Sequence, residues 1–171
     1  MLFRSLEGAS EGGWYYQQIA LGLNYRLTDM QAALGASQMT RIDRFIARRR
    51  ALAARYDEAL ANLPLVTPWQ EPDGRSAYHL YPIRLRTERL TRSRRDIYDA
   101  LRAAGLGVQV HYIPVHLQPY YRKLGFAPGS FPEAERYYEG AITIPLFSAM
   151  TDAGQATVIA RVRDVVTEAS A

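Results

Sequence analysis

The 171-residue chain contains no cysteine, a single lysine and no long apolar run. Without cysteine, disulfides, thiolate metal sites and cysteine nucleophiles are all excluded. No apolar run approaches the roughly 18 residues of a membrane-spanning helix, and the first residues lack the basic and apolar regions of a signal peptide. We therefore expect a cytoplasmic protein with no membrane partner.

What the chain does contain is a globular composition with an excess of arginine. Hydrophobic residues make up 48% of the sequence, and the length suits one domain or a small domain with an appendage. The net charge of +4 comes almost wholly from arginine, because Lys123 is the only lysine. Such a balance suits an anionic partner, and nucleotide sugars and nucleic acids both qualify.

The longest helical pattern follows a polar loop at residues 22–29. Thr28 has the chemistry of an N-cap, and Gln31 three residues later can complete a capping box. Apolar positions then keep a helical spacing to about Leu60, which predicts one long helix over residues 28–62 with a possible bend near Gly35. Such a helix is too long for one small core, so part of it should contact another domain or subunit.

Strands and helices alternate along the rest of the chain. Strands are predicted at residues 78–85, 107–113 and 141–146, with Pro82 favouring a sheet edge or a bulge. The predicted fold class is α/β (α+β), a three-stranded sheet covered by helices. The helix boundaries are predicted by Ser93 with Asp96, Gly105, Ser130 with Pro132 and Glu133, and Thr151.

Two polar segments are candidate sites. Asn24, Tyr25 and Arg26 precede the Thr28 cap, where Arg26 could bind a phosphate or carboxylate, although these groups could equally satisfy one another.

The second candidate segment, Gln109–His116, ends the second predicted strand. Its histidines, His111 and His116, have no third metal ligand nearby except the distant His79, so a metal site is not expected. Tyr112 and His111 could contact a ligand or simply hydrogen-bond to loop carbonyls.

Arginine-rich segments at residues 41–55 and 86–95 raise the possibility of nucleic-acid binding. Acidic residues are interleaved with the arginines of the first segment, and neither a stacking set of aromatic residues nor a zinc or helix-turn-helix pattern accompanies them. A solvated or interdomain helix face is the better interpretation, and no nucleic-acid partner is expected.

Three separated motifs carry a resemblance to a known family. They are the run GWYYQQIALGLNYRLTDMQAALGASQM, the pair VQVHYIPVH and PYYRKLGF, and the run FPEAERYYEGAITIPLF with TDAGQ. Together they resemble the C-terminal part of the DegT/DnrJ/EryC1/StrS family of pyridoxal-phosphate sugar aminotransferases, most of all the branch that serves pseudaminic acid biosynthesis. The resemblance implies the small domain of a fold-type I transferase, with residues 1–27 belonging to a large cofactor-binding domain, residues 28–62 forming a connecting helix, and residues 63–171 forming the small domain.

The resemblance also implies a substrate and site residues. The complete enzyme would be a homodimer with its active site at the subunit interface. It would move an amino group, with L-glutamate as the expected donor, to the C4 ketone of a UDP-linked 4-keto-6-deoxy-N-acetyl amino sugar. In similar enzymes the position of Asn24 reaches the neighbouring subunit's cofactor phosphate and substrate. The positions of Gln109, Val110, His111 and Tyr112 contact the nucleotide sugar, while Tyr25, Arg26 and His116 lie near the site.

The lysine that holds pyridoxal phosphate in this family lies upstream of the GWYY motif. Lys123 falls instead in the small domain, in the motif PYYRKLGF, and by the resemblance cannot be that lysine. Two interpretations follow: the chain is the C-terminal portion of an aminotransferase and is inactive alone, or it is a non-catalytic module that binds a sugar nucleotide or a protein.

Overall fold

The computed structural model describes residues 2–5, 17–21 and 27–170 of the chain. It forms two compact units, residues 1–42 and residues 43–171. The domain limits expected from the sequence stay predictions. Within the described ranges, no helix is both long and apolar enough to cross a membrane.

The first unit contains a two-stranded antiparallel sheet and one helix. Strand β1 (Leu2–Ser5) pairs with strand β2 (Gln17–Leu21), with an irregularity in register between Phe3 and Arg4. Helix α1 (Asp29–Met39) begins at the predicted capping box. The Gln31 backbone N–H donates to the Thr28 hydroxyl at 3.3 Å, and the Thr28 N–H donates back to the Gln31 side chain at 3.0 Å.

The predicted long helix is two helices. Helix α1 ends at Met39 and helix α2 spans Ile42–Leu60, so the interruption falls at Thr40 and Arg41 and not at Gly35. The Thr40 hydroxyl donates to the Ser37 carbonyl at 2.9 Å, and the Arg41 N–H donates to the Gln38 carbonyl three residues back. These local bonds compete with the regular helical pattern and end α1.

The second unit is built on a three-stranded antiparallel sheet. Strands β3 (Leu65–Val66), β4 (Tyr81–Leu85) and β5 (Ala141–Ile144) lie in that order. The predicted sheet is therefore present, but β3 replaces the predicted strand at residues 107–113. Pro82 lies in the middle strand. Strand β3 pairs only with Arg84 and Leu85, so it does not extend as far as Pro82. The missing N–H of the proline therefore leaves no hydrogen bond unmade, as at a sheet edge.

Helices α3 (Arg94–Ala103), α5 (Pro132–Gly140) and α6 (Asp152–Glu168) pack around this sheet. The short helix α4 (Pro119–Arg122) is exposed and follows a 3-10 turn at Val115–Leu117, and another 3-10 turn lies at Thr87–Arg89. The Ser93–Asp96 capping box and the Thr151 cap are confirmed, and Gly105 ends its helix at a φ of 83°. The predicted Ser130 cap is wrong: Phe131 is the N-cap of α5, and the Ser130 hydroxyl accepts the Ala127 N–H instead.

The core joins α2 to the sheet. Strand β4 alternates, with Tyr81, Ile83 and Leu85 buried and the residues between them more exposed. The buried face of α2 packs into the same core, and so do apolar residues of α3, β5 and α6. The core side chains that are almost fully buried include Leu52, Tyr56, Leu60, Tyr81, Ile83, Ile97, Leu101, Val108, Ile142, Ile144, Val162 and Val166.

Candidate functional site

The segment predicted to be the second strand joins the sheet at one residue only. The Gln109 N–H donates to the Thr143 carbonyl at 3.1 Å, and the Thr143 N–H donates to the Gln109 carbonyl at 2.7 Å. The next pairs of this ladder would involve residues 141 and 145 of the β5 side. Pro145 has no N–H and cannot complete the pair on its side, and the only bridge of this segment in the described part of the chain is Gln109 with Thr143.

Buried residues flank the exposed segment 109–113 at each end. Val108 is fully buried and Pro114 is buried, whereas the chain between them reaches the surface. Gln109 is exposed, Val110 is half-buried, and Tyr112 has 68% of its surface exposed. The segment 109–113 therefore presents its side chains from a backbone that the core holds at each end.

His111 is the one side chain of this segment that hydrogen-bonds back to the sheet. Its Nδ1 lies 2.9 Å from the Thr143 Oγ1, and its ring meets the Tyr112 ring edge-on with centroids 4.6 Å apart. The peptide bond between these two residues is cis. Thr143 is only 6% exposed, so the imidazole is held by a buried hydroxyl. No local sequence pattern predicts this contact, because 32 residues separate the partners.

Four of the predicted site residues, Gln109, Val110, His111 and Tyr112, are consecutive in this segment, and their contact with a substrate stays a prediction. Asn24, Tyr25 and Arg26 lie outside the described residues, and their roles stay predictions.

His116 belongs to a separate cluster. Its Nε2 lies 2.7 Å from the Glu135 Oε1, and the same carboxylate accepts the Gly129 N–H at 2.8 Å. The hydrogen bond from His116, and then those from the backbone N–H groups of Gly129 and Phe131, lower the pKa of Glu135. Gly129 has a φ of 88°, a left-handed conformation that favours glycine. His116 therefore ties the 3-10 turn to α5, and a substrate role for it stays a prediction.

An apolar cavity of about 390 Å³ adjoins this cluster. Its lining is mostly aromatic and aliphatic, and comprises Val115, His116, Tyr121, Phe126, Phe131 and Ala134. The Phe131 ring lies 4.9 Å from the His116 ring and 6.2 Å from the Phe126 ring, measured between centroids. Glu135, which the sequence assigns to no site, holds two lining residues of this cavity through hydrogen bonds to His116 and to the Phe131 N–H.

The arginines of α2 bind groups of their own unit. Arg49 donates to the carbonyls of Tyr78, His79 and Leu146 at 2.9 to 3.2 Å. Arg48 donates to the Met150 carbonyl and to Asp152, and its hydrogen bond and charge hold the pKa of that carboxyl below its usual value.

These contacts give the basic helix a structural role. Guanidinium groups that already cross-link α2 to the loops around β4 and β5 are not arranged to follow a phosphate backbone. The expected solvated or interdomain face of residues 41–55 is in part a packed face, because Arg48 and Arg49 contact loops of their own unit.

The described residues do not form a cradle for pyridoxal phosphate. Their only primary amine on a side chain is that of Lys123, which is exposed at the C-cap of α4. The predicted cofactor contact, Asn24, lies outside the described ranges. A cofactor-binding role for Asn24 therefore stays a prediction.

Comparison with known proteins gives a consistent result. The family model described as the DegT/DnrJ/EryC1/StrS aminotransferase family matches residues 3–163. The spore coat polysaccharide biosynthesis protein SpsC of Bacillus subtilis is 38% identical over 161 residues, covering 92% of this chain and 41% of SpsC. The UDP-4-amino-4,6-dideoxy-N-acetyl-beta-L-altrosamine transaminase of Campylobacter jejuni is 33% identical over 138 residues, covering 80% of this chain and 36% of that protein.

Solved structures of aminotransferases also resemble the chain. The candidate sugar aminotransferase Spr1654 from Streptococcus pneumoniae, in its PLP form, aligns with a TM-score of 0.83 at 28% identity, covering 91% of this chain and 40% of that one. The same protein has also been solved in a PMP form. The chain spans about two fifths of the length of the curated relatives it matches.

Proposed function

This chain belongs to the DegT/DnrJ/EryC1/StrS aminotransferase family, and we propose that it is the C-terminal part of a pyridoxal-phosphate-dependent sugar-nucleotide aminotransferase. The complete enzyme transfers an amino group, with L-glutamate as the expected donor, to the C4 ketone of a UDP-linked 4-keto-6-deoxy-N-acetyl amino sugar. The similarity to a Campylobacter jejuni transaminase supports this substrate class. The pseudaminic acid branch is the finer part of the proposal. SpsC, a relative at 38% identity, is named for spore coat polysaccharide biosynthesis and does not distinguish between the branches.

The observation that carries the proposal is the anchored segment 109–113. An enzyme that discriminates between sugars needs donors and acceptors held on a rigid base. Here the Gln109 backbone is bonded twice to β5, and the imidazole of His111 is bonded to Thr143. The exposed Gln109 amide and Tyr112 phenol supply polar groups for hydroxyl and phosphate oxygens, while the tyrosine ring supplies an apolar surface.

Pyridoxal phosphate, when bound in the complete enzyme, acts as the electron sink for the transfer of the amino group. We assign the lysine that holds it to a part of the enzyme outside this sequence. Asn24 is the residue of this chain that we propose to reach the cofactor phosphate, across the interface of a homodimer. The segment 109–112 binds and orients the sugar nucleotide so that its C4 carbon faces the cofactor.

The test uses the longest in-frame polypeptide that contains these 171 residues. It is purified with pyridoxal phosphate and given L-glutamate and a UDP-4-keto-6-deoxy-N-acetylhexosamine, and mass spectrometry follows the sugar. The expected result is conversion of the ketone to an amine with release of 2-oxoglutarate. UDP-N-acetylglucosamine, which has a C4 hydroxyl and no ketone, is the matched control and should not react. Absence of turnover with every 4-keto sugar nucleotide tried would contradict the proposal.

One observation favours a second candidate, a non-catalytic module that binds a sugar nucleotide or a protein: the chain's single lysine is an exposed residue of a short helix. The discriminating measurement is the intact mass of the polypeptide purified from its natural source. A mass near 19.3 kDa, with no partner subunit that carries a cofactor lysine, would favour the module. A larger mass, or a co-purifying partner with bound pyridoxal phosphate, would favour the aminotransferase.

A further inference from the structure

Thr143 is buried and forms three hydrogen bonds to the candidate site. Its backbone exchanges two bonds with Gln109, and its hydroxyl lies 2.9 Å from the His111 Nδ1. The neighbours of Thr143 in β5, Ile142 and Ile144, are almost fully buried, so the strand is fixed by the core. The position of the hydroxyl is therefore set independently of His111.

The direction of the hydroxyl–imidazole bond decides which nitrogen of His111 carries the proton. A neutral imidazole has one N–H donor and one acceptor nitrogen, and a threonine hydroxyl has one proton that needs an acceptor. Among the residues that the structure describes, the Thr143 hydroxyl has a single hydrogen-bond partner, His111 Nδ1. If Nδ1 carried the proton, two donors would face each other unless the hydroxyl turned its proton away into the protein interior, where it would find no acceptor in that part of the chain.

We propose that Thr143 is a positioning residue that donates its hydroxyl proton to the His111 Nδ1 and thereby fixes the tautomer in which Nε2 carries the proton. His111 then offers an N–H donor to an oxygen of the ligand, either a phosphate oxygen or a sugar oxygen. This inference rests on the proposed function, because it assumes that the segment 109–112 meets a sugar nucleotide. It specifies that the histidine contacts an acceptor atom and is not itself the acceptor.

The edge-on contact with Tyr112 supports the same role. The two rings meet at 85° with centroids 4.6 Å apart, so the imidazole plane is fixed by a neighbour as well as by the hydroxyl. Within residues 27–170, His111 has no second side-chain hydrogen bond, which leaves Nε2 for a ligand.

The experiment is nitrogen-15 NMR of the imidazole groups of the longest in-frame polypeptide that contains these 171 residues, without nucleotide sugar, at a pH where the histidines are neutral. The chain has three histidines, and His111→Gln identifies the resonances of His111. The expected spectrum has a protonated Nε2 and an unprotonated, hydrogen-bonded Nδ1. Thr143→Val, which keeps the shape and removes the donor, should move the Nδ1 resonance toward that of an unbonded nitrogen. Thr143→Ser, which keeps the hydroxyl, should restore the wild-type pattern.

Two results would overturn the proposal: a protonated Nδ1 in the wild type, or a His111 spectrum that Thr143→Val leaves unchanged. If Thr143→Val does not fold, the wild-type spectrum and Thr143→Ser still decide. The experiment contains no nucleotide sugar, so failure of the proposed function would not alter its outcome. Conversely, a wrong tautomer would leave the transamination test intact.

Discussion

A methyl group at position 140 has no room between helix α5 and strand β4. A Cβ built on Gly140 lies 2.7 Å from the Leu85 carbonyl oxygen and 3.0 Å from the Arg84 Cγ. The closer contact is with backbone in the middle strand of the sheet, so it cannot be relieved by a side-chain rotation. Gly140→Ala must therefore push α5 and the start of β5 away from β4.

Two effects of opposite sign determine how much Gly140→Ala changes the free energy of unfolding. Replacing glycine by alanine in a helix gains up to about 1 kcal/mol, and less at the last helical residue. Forcing an extra carbon into a packed site costs about 1–3 kcal/mol. The clash should win, so we expect Gly140→Ala to lower the free energy of unfolding by about 1–2 kcal/mol.

Urea unfolding followed by circular dichroism measures the difference. The midpoint should fall with an unchanged denaturant slope. Gly107→Ala is the control, because a Cβ there meets nothing within 4 Å in the same unit, and its midpoint should stay close to the wild type. If Gly140→Ala were as stable as the wild type or more so, the close approach of α5 to β4 would be wrong.

Three further predictions concern the core, pH and association. Tyr56→Phe removes a 2.7 Å hydrogen bond from a buried hydroxyl to the Pro145 carbonyl and should cost about 1 kcal/mol in urea unfolding; no change would mean that the bond does not form. The pKa of Glu135 is lowered on folding, so its contribution to stability is complete above the unfolded pKa of 4.5 and is lost as the pH falls through the lower folded value. Glu135→Gln should therefore flatten the acid-side slope of the free energy of unfolding against pH, and an unaltered slope would refute this role of Glu135. The isolated chain should be marginally stable and self-associate through residues 13–50, and Leu34→Glu, at a 62% exposed apolar position of α1, should weaken association in sedimentation; a monodisperse wild-type monomer with a sharp melt would contradict this.

Local signals were predicted well from the sequence. The Thr28 and Ser93 capping boxes and the left-handed Gly105 depend on residues within one helical turn, so their chemistry is visible in a short window. Ser130 was misassigned because Glu135 collects the N–H groups of Gly129 and Phe131, which makes Phe131 the cap. The competing acceptor, the Glu135 carboxylate, lies a helical turn further on, outside the short window of a capping motif.

The sheet and the site depend on contacts that are distant in sequence. Leu65–Val66 forms a strand because Leu85 and Arg84 lie beside it, although nothing in its proline-rich surroundings indicates a strand. The segment 107–113 has the composition of a strand but meets only Thr143, because Pro145 ends the partner edge. The choice of Gln109 through Tyr112 as site residues followed from the resemblance, whereas the contact between Thr143 and His111 is visible only in the fold.

The central claim is that the segment 109–112 binds the sugar nucleotide. It is tested most directly by the affinity of the complete enzyme for UDP-N-acetylglucosamine, measured calorimetrically for the wild type, Tyr112→Ala and Tyr120→Ala. The two tyrosines are almost equally exposed, at 68% and 67%, but only Tyr112 lies in the proposed site. We expect Tyr112→Ala to weaken binding about tenfold, or about 1.4 kcal/mol, and Tyr120→Ala to leave it unchanged. Equal affinities for all three proteins would contradict the claim.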